Sequence, residues 1–204
     1  MSDQKLREFE RRYQESGEAS DEADFLREAV RVGRIEERLL GIACDLGYPP
    51  ARLAFDTAPI TPAEIEDLGQ TLRERWGHWE LVNFSAALAR RLVPSEETES
   101  EIGRDVRAAL ECVAAWLEQP RWIGLLYHLS RWHHSIEELE AWAGAPAWSA
   151  IQHTIWTLTD PRPRRVDPKT RRANGAPRCA FVALGLASFL EVVSEVVTPR
   201  LYRL

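Results

Sequence analysis

Lysine is almost missing from this chain of 204 residues. Only Lys5 and Lys169 occur, so 26 minus 2, or 24, of the basic residues are arginine. Asparagine is limited to Asn83 and Asn174, while alanine is abundant, which reads as the imprint of a GC-rich genome. A single arginine therefore carries little evidence of phosphate or carboxylate recognition. Cysteine is scarce too. Cys44, Cys112 and Cys179 are odd in number, far apart and set among apolar residues, which excludes a disulfide framework and suits reduced, buried thiols in a cytosolic protein. None sits in a nucleophile motif. The opening MSDQKLREFERR is charged and has no apolar core, so no signal peptide is expected. The longest uninterrupted apolar run, 180–190, is short for a bilayer and is stopped by Glu191, so a soluble chain without a membrane partner is expected. Basic excess is absent: the formal charge is −6, which argues against a general nucleic-acid binder.

Alternating apolar and polar positions are also lacking, and the β-branched residues fall within helical stripes. What remains is a sequence of amphipathic helices. Hydrophobic residues make up 45% and charged ones 28%, enough for an ordinary core and against global disorder. A first helix is expected over 4–15, with Leu6, Phe9 and Tyr13 as its stripe. Ser20 is expected to cap a second, in which Phe25, Leu26, Ala29 and Val30 follow at helical spacing up to Gly33. Ile35, Leu39, Ile42 and Leu46 form a third stripe ended by Gly47, and a helix restarts after Pro49-Pro50. Thr61-Pro62-Ala63-Glu64 has the composition of a capping box and starts a helix running to about Trp76, with another from Gly77 to Pro94.

Residues 95–101 are acidic, without a large apolar side chain, and read as a linker or an extended first turn. Ile102, Val106, Leu110, Val113 and Leu117 define a long helix, and 123–130 a short one. Ser135 caps another, and a further helix covers 146–158. Residues 160–178 hold four prolines and read as a long loop. Seven basic less two acidic residues give it +5, leaving −6 − 5 = −11 elsewhere. The stretch 179–197 is apolar nearly all round and reads as a central buried helix ended by Pro199.

Within 11–55, Asp21, Glu22, Ala23, Phe25, Leu26, Arg27, Val30, Arg31, Gly33, Ile35, Glu37, Arg38 and Leu39 form one pattern. Ala43, Leu46, Gly47, Ala51, Arg52 and Ala54 continue it. Together these resemble a group of uncharacterised helical proteins of high-GC bacteria, myxobacteria among them, over about a quarter of the chain. The run RAALECVAAWLE, 107–118, is similar to helical immunity proteins of bacterial toxin systems. Both resemblances imply an all-helical fold and neither supplies functional residues.

The candidate chemistry is sparse. Six tryptophans, at 116, 122, 132, 142, 148 and 156, read as core filling between short helices. His128, His133 and His134 stand near Glu137, Glu138 and Glu140, but the cap at Ser135 divides them between two elements, so no metal site is expected. No G-x-S-x-G elbow and no phosphate-cradling glycine loop occurs, so no catalytic residue and no cofactor is expected. The sharpest local anomaly is the basic loop, where Arg162, Arg164, Arg165, Arg171 and Arg172 are the candidate partner-binding residues.

The expected fold is all-α: one domain of about nine to eleven short helices, repeat-like or an irregular orthogonal bundle. A helical arm over 1–19 precedes a domain over 20–204, with a sub-boundary at 94–101. The leading functional reading is a non-catalytic protein-binding module of the bacterial cytoplasm, such as an immunity or accessory protein with a cognate protein partner. The alternative is a small enzyme whose site is assembled near the Trp/His-rich segment 116–156.

Overall fold

The structure is a computed structural model, and it describes residues 2–93, 100–118, 136–159 and 175–202. Those residues are all-α: ten α-helices and one π-helical turn, with no strand among them. The helices are α1 Ser2–Ser16, α2 Ala19–Arg31, α3 Glu37–Asp45, α4 Pro49–Ala54, α5 Pro62–Thr71, α6 His78–Leu92, α7 Glu101–Glu118, α8 Ile136–Ala143, α9 Ala145–Thr159 and α10 Ala176–Leu201. The π turn, Leu72–Trp76, prolongs α5 to the expected stop at Trp76, where Gly77 N donates to Leu72 O at 3.0 Å.

The chain packs as two compact units: Met1–Pro62 with Leu190–Leu204, and Ala63–Phe189. The helix expected as an arm, α1, lies in the first unit with Leu6 buried. The first unit's core is built from Phe25, Leu26 and Ala29 of α2, Leu40, Ile42 and Ala43 of α3, and Val192, Val193 and Val197 of α10. Two glycines set its turns. At Gly33 and Gly47 the backbone adopts φ of 77° and 91°. Arg34 N donates to Ala29 O at 2.8 Å and Tyr48 N to Ala43 O at 2.9 Å, closing two helix ends with the left-handed residue that a side chain resists.

Two local expectations change. α2 starts after Glu18, whose N–H donates to Ser16 Oγ at 3.1 Å, so Ser20 sits inside the helix rather than capping it. Ser100 Oγ accepts from Gly103 N at 3.0 Å and caps α7, so the acidic run ends in the helix's own first turn.

In the second unit α6, α7, α8 and α9 share one core of Ala89, Val106, Ala109, Leu110, Leu139, Trp142, Trp148, Ile151 and Ile155. The Thr154 hydroxyl, fully buried, points at Ser85 O (3.2 Å) and Ala150 O (2.9 Å), so its proton is shared with a neighbouring helix. Phe189 meets Phe84 and Phe181 edge-on, with ring centroids 5.7 and 6.0 Å away.

The last helix departs most from expectation. α10 begins at Ala176, so Arg178 belongs to its first turn, where it pairs with Glu66 at 3.7 Å. Pro199 lies within the helix. Gly185, at φ 75° and ψ 168°, breaks the helical path. The buried central helix expected over 179–197 is buried only in part. Val182 is 64% exposed and Leu186 43%, and Ala183 and Ala187 are exposed with them. α10 is also long and apolar enough to cross a membrane by length and composition, and only 28% of its most apolar stretch is buried. Its second half, with Phe189, Val192, Val193, Val197 and Leu201, is core.

The two glycine turns separate strain from space. A Cβ built at Gly33 meets nothing within 4 Å, whereas one at Gly47 falls 2.7 Å from Ile60 Cγ2. Gly33→Ala should therefore cost about 1 kcal/mol, from backbone strain alone. Gly47→Ala should cost roughly 2–3 kcal/mol, strain and overpacking together. Urea denaturation of both variants measures the difference, and equal losses would refute the packing argument.

Candidate functional site

The first unit buries a polar cluster. Glu22 shares a face with Phe25, Leu26 and Ala29 at spacings of three, four and seven, so the helix that buries the stripe also buries the carboxylate, which is 6% exposed. Tyr48, just before α4, donates its hydroxyl to Glu22 Oε1 at 2.6 Å. Tyr202, which follows α10, donates to the same oxygen. The Tyr13 ring stacks on Phe25 and Tyr202 at centroid distances of 6.3 and 6.2 Å. Burial raises the Tyr48 and Tyr202 phenols well above their usual pKa of 10, and the hydrogen bond and charge of Glu22 add to it. Burial also raises Tyr13, again with help from the Glu22 charge. The cluster is a set of protonated donors on one acceptor, which ties elements together and offers no base to a substrate.

Other buried charges are likewise occupied. Glu28 is held by Arg31, with Nε–Oε2 at 2.9 Å, and by Lys5 at 3.7 Å, and the Arg31 bond lowers its pKa. Arg52 is 5% exposed and donates to the backbone oxygens of Ala58 and Cys44.

The second unit carries the open surfaces. One groove, of about 730 Å3, has Arg91, Leu92 and Val93 from the end of α6 on one side. Its other walls are Ala143, Pro146 and Ala147 at the α8–α9 corner, and Val182 and Ala183 of α10. A second groove, of about 370 Å3, shares Val93 and is closed by Arg90, Arg107, Leu110, Glu111 and Ala114. The two share Val93, and Arg90, Arg91 and Arg107 on their walls are all exposed. Exposed Val182 and Leu186 extend the apolar area beyond the larger groove.

An aromatic cluster stands apart in the same unit. His78 meets Trp116 edge-on at 6.0 Å, and Trp79 donates its indole N–H to Leu117 O at 3.2 Å while remaining 40% exposed. His78 Nε2 and Trp116 Nε1 are buried without a hydrogen-bond partner. Burial, then the Arg73 charge, lowers the His78 pKa and keeps the ring neutral. Burial raises the thiol pKa values of Cys112 and Cys179, so neither is an activated nucleophile.

The residues singled out from sequence fall unevenly. Arg162, Arg164, Arg165, Arg171 and Arg172 lie outside the described residues, as do His128, His133, His134, Trp122 and Trp132. Glu138 and Glu140 are exposed on α8. Trp142 and Trp148 are buried, as expected of core tryptophans, and Trp116 is half-buried. Among the described residues no group of three or more His, Cys, Asp or Glu could hold a metal ion. Glu22 was missed although the signal was present: it occupies a stripe position. The larger groove is not legible in the sequence because it joins residues about 90 apart, Arg91 and Val182 among them. No family model, curated protein or solved structure matches the chain.

The tyrosine cluster has a pH signature. A phenol whose folded pKa exceeds 10 keeps a proton that the unfolded chain loses, so its stabilisation is complete below pH 10 and declines as pH rises towards the folded value. Urea midpoints should hold steady between pH 8 and about 9.5 and fall above pH 10, less steeply in Tyr202→Phe. The same slope in both proteins would show that Tyr202 is not the titrating group. Glu22→Ala, which strands two buried hydroxyls, should cost about 2–4 kcal/mol at pH 7, and Glu22→Gln less.

Proposed function

We propose that this chain is a non-catalytic protein-binding helical module of the bacterial cytoplasm, an accessory or immunity-type protein that supports or neutralises a cognate partner. The carrying observation is the larger groove: seven of its eight lining residues are apolar and the eighth is an arginine. The groove is open, and its lining side chains include no group that exchanges protons near neutral pH. Exposed Val182 and Leu186 beside it favour a macromolecular contact over a small ligand. The three free thiols suit a reducing compartment. The neutral His78 has a buried, unpartnered Nε2, so the orienting bond of an acid–base pair is missing there, and the reading as a small enzyme gains nothing from it. The basic loop, with Arg162, Arg164, Arg165, Arg171 and Arg172, is a second candidate contact, resting on its charge of +5.

Affinity purification from the native host followed by reconstitution with the purified partner tests the reading. Val182→Glu/Leu186→Glu should keep the helical circular dichroism spectrum and weaken the reconstituted complex at least tenfold. Reversal of Arg164, Arg165, Arg171 and Arg172 to Glu should leave the melting temperature nearly unchanged, because exposed pairs contribute about 0–1 kcal/mol each. It should also reduce the salt dependence of binding. The failure of any protein to bind stoichiometrically in the reconstitution would overturn the proposal.

A further inference from the structure

We infer, independently of the protein-binding reading, that the outer face of the first half of α10 lies on an anionic lipid bilayer. The face is Val182, Ala183, Leu186 and Ala187, all exposed, while Ala180 and Phe189 of the same stretch are buried. An exposed apolar face does not by itself name its occupant. Three observations name this one.

The first is the charge that precedes the face. Residues 160–178 hold seven basic and two acidic side chains, and Arg178 is held by Glu66 at 3.7 Å, which leaves 5 − 1 = +4 ahead of it. Twelve residues without a charge, 179–190, follow at once. A basic block joined to an apolar one is what anionic headgroups and the acyl chains beneath them attract together. Chain connectivity keeps Arg171 and Arg172 within roughly 14–18 Å of Ala176, whatever path they take. The rest of the chain carries −11. Charges in physiological salt act over about 8 Å, so acidic side chains on other faces of the molecule oppose this contact little.

The second is what the face lacks. Its four exposed side chains offer no hydrogen-bond donor or acceptor. Contacts between proteins make about one hydrogen bond per 100–200 Å2, and those bonds fix the register of the partner. Hydrocarbon asks for none.

The third selects lying on the bilayer over crossing it. Ala176–Leu201 passes for a membrane span by length and composition. Gly185, at φ 75° and ψ 168°, breaks the helical path after Leu184, so the straight part is about 13 Å long against about 30 Å of hydrocarbon. A break of this kind suits the wet headgroup region, because an interrupted backbone bond is costly at the bilayer centre. Beyond it Glu191 and Glu195 are exposed, and Val192, Val193 and Val197 are core, so the second half stays with the protein. The apolar run is too short to span a bilayer and long enough to rest at its surface.

The test uses the full chain and vesicles of phosphatidylcholine, either alone or mixed equally with phosphatidylglycerol. Co-sedimentation should show binding to the mixed vesicles that fades as salt rises, and at least tenfold weaker binding to the zwitterionic ones. Leu186→Glu/Ala187→Glu changes exposed side chains outside both grooves. It should leave circular dichroism and melting temperature as in wild type and cut vesicle binding at least tenfold. Should that pair unfold the chain, Leu186→Ser/Ala187→Ser takes its place, with a loss of at least threefold expected. Reversal of Arg164, Arg165, Arg171 and Arg172 to Glu should bring binding to the mixed vesicles down to the zwitterionic level. A chain that ignores mixed vesicles, or whose binding survives the α10 substitutions, would overturn the inference. So would a homodimer or a soluble protein complex that those substitutions abolish while vesicles stay unbound, because the face would then belong to that occupant. The vesicles carry no protein partner, so failure here leaves the protein-binding reading to its own reconstitution, and failure there leaves vesicle binding standing.

Discussion

The hydroxyls of Tyr48 and Tyr202 on one oxygen of Glu22 are the constraint on which the first unit depends. A buried carboxylate is costly unless its acceptor sites are filled, and here the donors come from residues 26 and 180 positions away. The unit therefore closes only when the C-terminal stretch of α10 is in place. The apolar contacts point the same way, since Val192, Val193, Val197 and Leu201 are core side chains of a unit whose other residues precede position 63. An N-terminal fragment would lack both a helix of its core and the second donor to its buried charge. The separation of the tie in sequence makes folding of this unit non-local despite its short helices.

The second unit solves a different problem. Its core is supplied by α6, α7, α8 and α9, whose stripes face one another and whose polar faces meet water. The first half of α10 has no polar face to offer. A helix that is apolar all round is buried in protein or in lipid, or it carries a contact surface. Gly185 redirects the backbone between this half and the half that packs into the first unit, which leaves Val182 and Leu186 exposed. Arg91 at the end of α6 lines the larger groove together with Val182.

Most of the fold was legible because helix periodicity is local. The stops at Gly33, Gly47 and Gly77, the restart at Pro49-Pro50 and the extent of α6, α7 and α9 all follow from spacing and punctuation within a dozen residues. The errors arose where tertiary context overrides a local rule. Ser20 has a capping side chain, yet α2 begins two residues earlier, after Glu18, whose N–H donates to Ser16 Oγ. Pro199 is a breaker by composition, yet it sits within the last turns of α10. The stretch 179–197 was expected to be buried because it is apolar, but apolarity fixes only that a surface avoids water, not what covers it. The grooves escaped notice for a related reason: Val93, Leu110, Ala147 and Val182 belong to four different helical stripes, and no single stripe shows that they meet.

The polar inventory then limits the kinds of function the described surface can perform. Glu22, Glu28 and Arg52 are buried with structural partners, Tyr48 and Tyr202 are held protonated, and Cys112 and Cys179 are shifted away from the thiolate. The larger groove presents guanidinium and hydrocarbon, and the smaller one adds the carboxylate of Glu111. Arg91 lines the larger groove, and Arg90 and Arg107 the smaller one. α6 packs on α7 through the buried cluster that holds Ala89, Val106 and Leu110, and Trp79 of α6 donates its indole N–H to Leu117 O of α7.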